Sequence, residues 1–373
     1  MAGITIKEVR TNSDYRKMFN LPGKLYKDDP CYIEPLRIEL KKQFNRKKNP
    51  FYKHGDTRSF LAYKNGEIVG SITGVHNYLY NEYHNEKTAF FMSFESIDDQ
   101  AVASALLKAA EDWARKQGLN KIIGPMPMST ENLSPGLLIK GFEYPPFFLM
   151  AHALPYYRKL IENEGYEKEM DVLAFRMPIQ QEMDPRITRL AEQVAKTRNI
   201  KIRFFDPKNF WRDVKILIDI YVEAWKDNWG FVPPTEEEFG DIVKSLKKIY
   251  IRELVQIAEI DGKPAGWAIT LPNLNEALAH MNGRLFPFGL FKLLYWSRKI
   301  TGLRLWGLGI KPEYRKRGVD ITLYYHTLVE GQKLGCTNGE ISWVLETNTP
   351  IINATRLFKG EEYKRYRIYG KSL

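Results

Sequence analysis

The chain repeats itself. The stretch ITIKEV (Ile4–Val9) returns as IKIRFF (Ile200–Phe205), and LAYKNGEIVGSI (Leu61–Ile72) returns as IAEIDGKPAGWA (Ile257–Ala268), both displaced by 196 positions. In the longer pair Ala62, Gly66 and Gly70 align with Ala258, Gly262 and Gly266. Each copy reads as a strand, an Asn-Gly or Asp-Gly turn and a second strand, which is a strong hairpin signal. Two matches at one spacing imply a duplicated domain. The 373 residues are enough for two domains that each bury a core.

Beyond the hairpin the halves stay in step. The first continues with the strand-like TAFFMSFES and then DDQAVASALLKAAEDWARKQG, whose Ala105, Leu106, Ala109, Ala110 and Trp113 follow helical spacing up to Gly118. The short strand NKIIGP follows. The second has LRLWGLGI, a loop, a helix through about Leu334 and the strand GEISWVLE. The pattern predicts an α/β (α+β) fold, with a mixed sheet flanked by helices in each half. The expected division is 1–179, a connecting helix over 180–199, and 200–373.

The formal net charge of +11 points toward anionic partners, whether phosphorylated cofactors, nucleic acid or a membrane surface. The two cysteines, Cys31 and Cys336, lie far apart without metal-type spacing, so neither a disulfide framework nor a metal site is expected. The N-terminus MAGITIKEVR is not a signal peptide. The most apolar run, LFPFGLFKLLYW (Leu285–Trp296), has a lysine inside and falls short of the roughly 20 residues that span a bilayer. A cytoplasmic location is expected, with peripheral contact at the inner membrane face as an option.

The stretch that carries chemistry is IKPEYRKRGVDITLYY (Ile310–Tyr325). The start of a helix presents free N–H groups and a partial positive charge to a phosphate, and glycine lets the backbone come close. Arg315 opens the motif, with Lys316 and Arg317 as neighbouring cations, and Gly318 takes its middle place. Asp320 stands where a phosphate loop wants a small residue. A carboxylate about 5 Å from a phosphate costs on the order of 3 kcal/mol at an effective dielectric near 20, and the three cations can offset that. The other reading of Asp320 is a first-turn acid stabilised by the helix dipole, its side chain turned away. In the first half the matching stretch IDDQAVA (Ile97–Ala103) is acidic, lacks glycine and would repel a pyrophosphate.

KPEYRKRGVD after a strand, with WVLETN on the next, resembles the acyl-CoA-binding core of the GNAT N-acyltransferase superfamily, whose loop reads Arg/Gln-x-x-Gly-x-Gly/Ala. The phrases NPFYKHGDTRSFLAY, GPMPMSTENLSPGLLIKGFEYPPFFLMAHALPYY, WKDNWGFVPPTEEEF and YKRYRIY resemble a bacterial subgroup with two GNAT-like halves. Some of its relatives are implicated in N-acylating long-chain sphingoid bases. The resemblance implies tandem GNAT-like domains, with acyl-CoA as co-substrate at Leu308, Gly309, Ile310, Arg315, Lys316, Arg317, Gly318 and Val319. It implies transfer of the acyl group to a small-molecule or lipid amine.

Direct transfer to an amine needs a base, oxyanion donors, and an acid or solvent to quench the thiolate. Backbone N–H groups near Leu308–Ile310 are the expected oxyanion donors. Glu346, at the end of SWVLE, is the candidate base, with capping or ion pairing as its competing role; His280 is another. The helix over about Ile351–Phe358 contains no tyrosine, so the acid is sought at Tyr363, Tyr366, Tyr156, Tyr157 or water. Trp229, Tyr156 and Tyr157 are the candidate acceptor-site residues. The long connection Gly124–His152 either walls the acceptor pocket or covers the sheet.

The second half also carries an extra segment, Asn273–Gly302, apolar with Arg284, Lys292, Arg298 and Lys299 at its flanks. It reads as a membrane-surface or acyl-chain segment, or as a helix packed at the domain interface. The basic aromatic stretch Glu39–Gly55 suggests nucleic acid only superficially, since no nucleic-acid module accompanies it. The rival to an enzyme is a non-catalytic GNAT-fold protein that binds a ligand or acts as a scaffold, favoured by Asp320, the missing helix tyrosine and the degenerate first half.

Overall fold

The computed structural model describes residues 3–128 and 135–373. The chain begins with β1 (Ile4–Glu8), α1 (Asn12–Asn20), α2 (Pro22–Leu25), α3 (Arg37–Gln43), β2 (Gly55–Lys64), β3 (Glu67–Asn77) and α4 (Tyr78–His84). It continues through β4 (Thr88–Ser96), α5 (Gln100–Lys116), β5 (Lys121–Gly124), β6 (Leu137–Lys140), α6 (Tyr157–Glu162) and β7 (Glu167–Pro178). Then come α7 (Pro185–Thr197), β8 (Ile200–Phe204), α8 (Phe210–Trp225), α9 (Glu236–Leu246), β9 (Val255–Ile260), β10 (Lys263–Pro272) and α10 (Asn275–Leu278). The last elements are α11 (Gly289–Ser297), β11 (Gly302–Ile310), α12 (Val319–Lys333), β12 (Asn338–Leu345), α13 (Thr349–Leu357) and β13 (Glu361–Ser372).

Packing divides the chain into two compact units. The first comprises Met1–Val172, Ala277–Tyr295 and Lys364–Leu373; the second comprises Leu173–Glu276 and Trp296–Tyr363. Two stretches of the second half, the extra segment and the last residues of β13, thus pack with the first. In the first unit the strand order is β1-β2-β3-β4-β5-β13, with β6 also on β13. In the second it is β12-β11-β10-β9-β8.

Both repeats form the hairpins their turns dictate. Asn65-Gly66 has φ of 54° and 81°, and Asp261-Gly262 has 52° and 75°, the two consecutive positive values a type I′ turn needs. Lys64 faces Glu67 and Ile260 faces Lys263 across these turns. The duplication reaches into the packing. A Cβ on Gly70 would meet the Glu95 carbonyl oxygen at 2.8 Å, and one on Gly266 would meet that of Gly309 at 2.8 Å. Each glycine lets its strand lie flat against a helix, α5 in one unit and α12 in the other.

α5 is capped by Asp99, whose side chain accepts from the Ala101 N–H at 2.9 Å. It buries Val102, Ala103, Leu106, Leu107, Ala110, Trp113 and Ala114. The buried stripe lies one position round from the expected one, leaving Ala105 and Ala109 at its margin. Burying a leucine such as Leu106 stabilises by roughly 1.5–3 kcal/mol. α12 packs on β8–β11 and against α7, while α8 packs on β10 and β11.

Within the connection Gly124–His152, β6 pairs with β13 through Leu137–Lys140; residues 129–134 lie outside the described residues. The extra segment folds as α10 and α11, and Phe286, Phe288, Leu290, Phe291 and Leu294 are exposed. Among the described residues no helix is long and apolar enough to cross a membrane. Nor do they hold a group of three or more His, Cys, Asp or Glu able to bind a metal ion.

Candidate active site

In the second unit β11 and β12 run parallel and pair from Gly302 with Asn338 to Leu305 with Ile341. The ladder stops there, although the strands continue to Ile310 and Leu345. On its other side β11 stays paired with β10, as Ala268 with Leu308, Trp267 with Gly309 and Gly266 with Ile310. The Lys311 N–H bonds the Ala265 carbonyl at 2.9 Å. Direction alternates along an antiparallel strand, so Gly309 also bonds toward β10, while the N–H groups of Leu308 and Ile310 point into the gap. Two of the three expected oxyanion donors therefore face open backbone edge. Gly309 contributes by having no side chain.

The gap leads to the start of α12. Gly318 is its N-cap, with φ of 82°, and no side chain caps the helix. Lys316 also has positive φ, 59°. Arg315, Lys316 and Arg317 are exposed. The Arg315 Nη2 donates to the Ala224 carbonyl at 3.0 Å, tying the loop to α8. The Arg317 guanidinium lies over the Tyr314 ring, 5.4 Å from its centroid. Val319 is fully buried and is an anchor for α12 rather than a side-chain contact for a ligand. A Cβ on Gly318 would meet Val194 Cγ1 of α7 at 2.3 Å. Its glycine is thus required by packing as well as by close approach.

Glu346 follows β12 and is half-buried. It lies just past the end of β12, five residues beyond the last pair of the parallel ladder. Tyr363 is elsewhere. Its hydroxyl bonds Glu340, whose other oxygen takes the Ser342 hydroxyl. Arg304 Nε donates to Ser342 Oγ at 2.8 Å and lies 3.7 Å from Glu340. Arg304 and Glu340 face each other in the paired part of the strands, six residues before Ile310. The expected acid therefore belongs to a buried polar network at the closed end of the gap. Tyr366 is fully buried in β13. His280 is exposed, in a turn of the first unit.

Trp229 is half-buried in the turn after α8. The tryptophan packed against Gly309 of β11 is instead Trp225 of α8, stacked on Trp267 at 5.3 Å and 14°. A Cβ on Gly309 would meet Trp225 at 2.4 Å, and one on Gly307 would meet Trp267 at 2.8 Å. The available signal was the GLG alternation in β11, two glycines on one face that leave room for large rings.

Tyr156 and Tyr157 lie in the first unit around a residue that sequence reasoning missed, Glu95. The Tyr157 hydroxyl donates to Glu95 Oε2 at 2.7 Å and accepts from the Ser96 N–H at 3.2 Å. The Tyr156 hydroxyl donates to the Ser96 carbonyl at 2.8 Å. Tyr26 also bonds Glu95 and stacks on Tyr32 at 4.3 Å. Burial pushes the Glu95 carboxyl up to about 7, against the hydroxyl bonds from Tyr157 and Tyr26 that favour its charged form. Glu95 pairs with Ser71 as Gly309 pairs with Trp267, so the two occupy one place in the repeat. A bulge at Ser93, φ 50°, precedes it and was invisible in an apolar run.

Here too the parallel ladder is short, from Thr88 with Lys121 to Phe90 with Ile123, while β4 runs on to Ser96. The helix start beyond is already filled: Asp99 caps α5 and bonds Lys64 Nζ at 2.6 Å. A separate cleft of about 500 Å³ in the second unit lies among Ala191, Ile202, Phe204, Tyr325, His326 and Lys333. None of the expected site residues lines it.

The model of the Acetyltransferase (GNAT) family matches residues 25–125, in the first half. Protein YghO of Escherichia coli (strain K12) is 38% identical over 381 residues, covering 99% of this chain and 95% of that protein. The bacterial ceramide synthase of Caulobacter vibrioides (strain NA1000 / CB15N) is 34% identical over 380 residues, covering 100% and 98%. Among solved structures, a tandem GNAT protein from the clavulanic acid biosynthesis pathway superposes with a TM-score of 0.59 at 11% identity, covering 99% of this chain and 98% of that one. A GCN5-related N-acetyltransferase from Sphaerobacter thermophilus gives 0.58 at 13%, covering 99% and 95%.

Proposed function

The chain belongs to the GNAT acetyltransferase family, as a protein of two GNAT-like halves, and from that premise we propose that it uses acyl-CoA to N-acylate a long-chain amine. Acyl transfer in general follows from the family. The CoA thioester and the lipid acceptor are our reading.

The observation that carries it is the second unit's open strand edge ending at a helix start that no side chain caps. Coenzyme A has an extended amide-bearing arm and a pyrophosphate. The arm suits the free edge of β11, much as a peptide adds to a sheet edge. The pyrophosphate suits the α12 N–H groups beside Lys316 and Arg317. The thioester carbonyl would then accept from Leu308 or Ile310. One such donor is worth about 3–4 kcal/mol in the transition state.

In the reaction the neutral amine attacks the thioester carbon, its proton passes to a base, and the C–S bond breaks to release the thiolate. Glu346, just past the end of β12, is our base. Water quenches the thiolate, since Tyr363 is engaged in its own network. The long-chain acceptor rests on the relative named a bacterial ceramide synthase. Each methylene taken from water contributes roughly 0.8 kcal/mol, so chain length is the property to vary.

The test is thiol release across a panel of acyl-CoA and amine lengths. We expect turnover to rise from two-carbon toward long chains. Highest activity with acetyl-CoA and a small polar amine would refute the lipid acceptor. No thiol release with any pair would favour a non-catalytic ligand-binding protein.

A further inference from the structure

α11 turns its apolar side outward. Leu290, Phe291 and Leu294 share one helical face and are 42%, 71% and 57% exposed. Phe286 and Phe288, in the turn just before, are 74% and 69% exposed. Soluble surfaces scatter single apolar side chains, but five large ones within nine residues form a patch that marks a contact surface.

Within the segment the charge is of one sign, and the nearest acid, Glu34 against Gly283, is paired with Arg37. From Ala277 to Ile300 the chain has no Asp or Glu, while Arg284, Lys292, Arg298 and Lys299 occur within it. Of these, Arg284 and Lys292 are exposed on the turn and helix themselves. The start of α3 adjoins the segment, with the Arg37 N–H bonded to the Gly283 carbonyl at 3.1 Å. Beyond it Lys41, Lys42, Arg46, Lys47 and Lys48 are exposed. The one exposed acid on α3 is Glu39. A second copy of this chain would bring cations against cations. An apolar interior beneath a layer of negative headgroups satisfies both the rings and the cations.

We propose that the Phe286–Leu294 face docks the protein on an anionic lipid surface, with the aromatic and leucine side chains inserted at the headgroup boundary and Arg284 and Lys292 among the headgroups. Nine helical residues rise about 14 Å, less than half the hydrocarbon thickness, so α11 lies in the interface and does not span it. The inference does not depend on acyl transfer, and its readout uses neither CoA nor amine.

The experiment is flotation of the full chain with vesicles of phosphatidylcholine alone or mixed equally with phosphatidylglycerol, in about 0.1 M salt. The wild type should partition at least tenfold more strongly onto the anionic vesicles. Phe288→Asp with Phe291→Asp should lose at least tenfold, with an unchanged melting temperature because both positions are exposed. Lys292→Glu should lose severalfold on anionic vesicles and nothing on neutral ones. If the double variant unfolds, Phe291→Ser is read in its place. Equal flotation of wild type and apolar-face variants would overturn the proposal. So would a dimer, seen by sedimentation velocity, that the same substitutions dissociate.

Discussion

Glu95 and Gly309 stand at the same point of the repeat, and the side chains around them are exchanged. In the first unit Glu95 faces small Ser71 across the strands and is closed in by Tyr26 and Tyr157. In the second, Gly309 faces Trp267, and Trp225 fills the space a side chain would take. The helix starts beyond them differ in the same sense. Asp99 caps α5 and binds Lys64, whereas Gly318 leaves α12 uncapped beside three cations. One duplicated frame thus gives a strand end that holds its own carboxylates and a strand end whose helix start no side chain caps.

The largest expected effect tests the carboxylate of the first unit. The folded-state pKa of Glu95, about 7, lies above the ordinary value of 4.5 because burial disfavours the charge. Below about 4.5 both states hold the proton and the contribution to stability is complete. As pH rises the unfolded chain releases its proton first, so stability falls until the folded carboxyl has also ionised near 7. A shift of this size corresponds to about 3 kcal/mol. Glu95→Gln should abolish the slope: its stability relative to wild type should rise by about 3 kcal/mol between pH 4.5 and 8, read by urea denaturation. Parallel curves would mean that Glu95 ionises as an ordinary carboxyl and that the contrast with Gly309 is one of size alone.

The second test breaks the comparison from the other side. Lys316→Glu with Arg317→Glu reverses the charge at the α12 start without touching Arg315, which ties the loop to α8. CoA binding by calorimetry should weaken about a hundredfold, or 2.7 kcal/mol. Lys64→Glu beside Asp99 should leave CoA binding unchanged. Equal losses in the two units would show that CoA is not confined to the second. Substitution at Gly318 is a poorer probe than its place in the motif suggests, because any Cβ there strikes Val194.

The duplication, the hairpins and the uncapped helix were legible because they rest on local signals: Asn-Gly and Asp-Gly turns, helical spacing, and cations before a glycine. What was not legible depends on partners distant in sequence. β13 brings Tyr363, a candidate acid by sequence, to Glu340, and α8 puts Trp225, not the candidate Trp229, over Gly309. Glu95 hid in an apolar strand whose bulge at Ser93 has no sequence mark. The family match falls on the first half, where the frame persists, although the features suited to CoA lie in the second.

The smallest expected effect concerns Asp320, which set the two readings of the loop apart. It occupies the second position of α12, beside the N-terminal end of the helix dipole, and makes no capping bond to Gly318. Its charge is felt by Tyr324 one turn on, which is buried and packs on Phe358. Residues four apart share a helix face, so Asp320 is on the side of α12 that carries Tyr324. A carboxylate so placed contributes through the dipole, a stabilisation of roughly 0.3–1 kcal/mol. Asp320→Asn should therefore lower the melting temperature slightly and change CoA affinity by less than threefold. If calorimetry instead found CoA tightened tenfold with the melting temperature unmoved, the charge would be facing the phosphate, and the second unit would be a weakened anion site rather than an intact one.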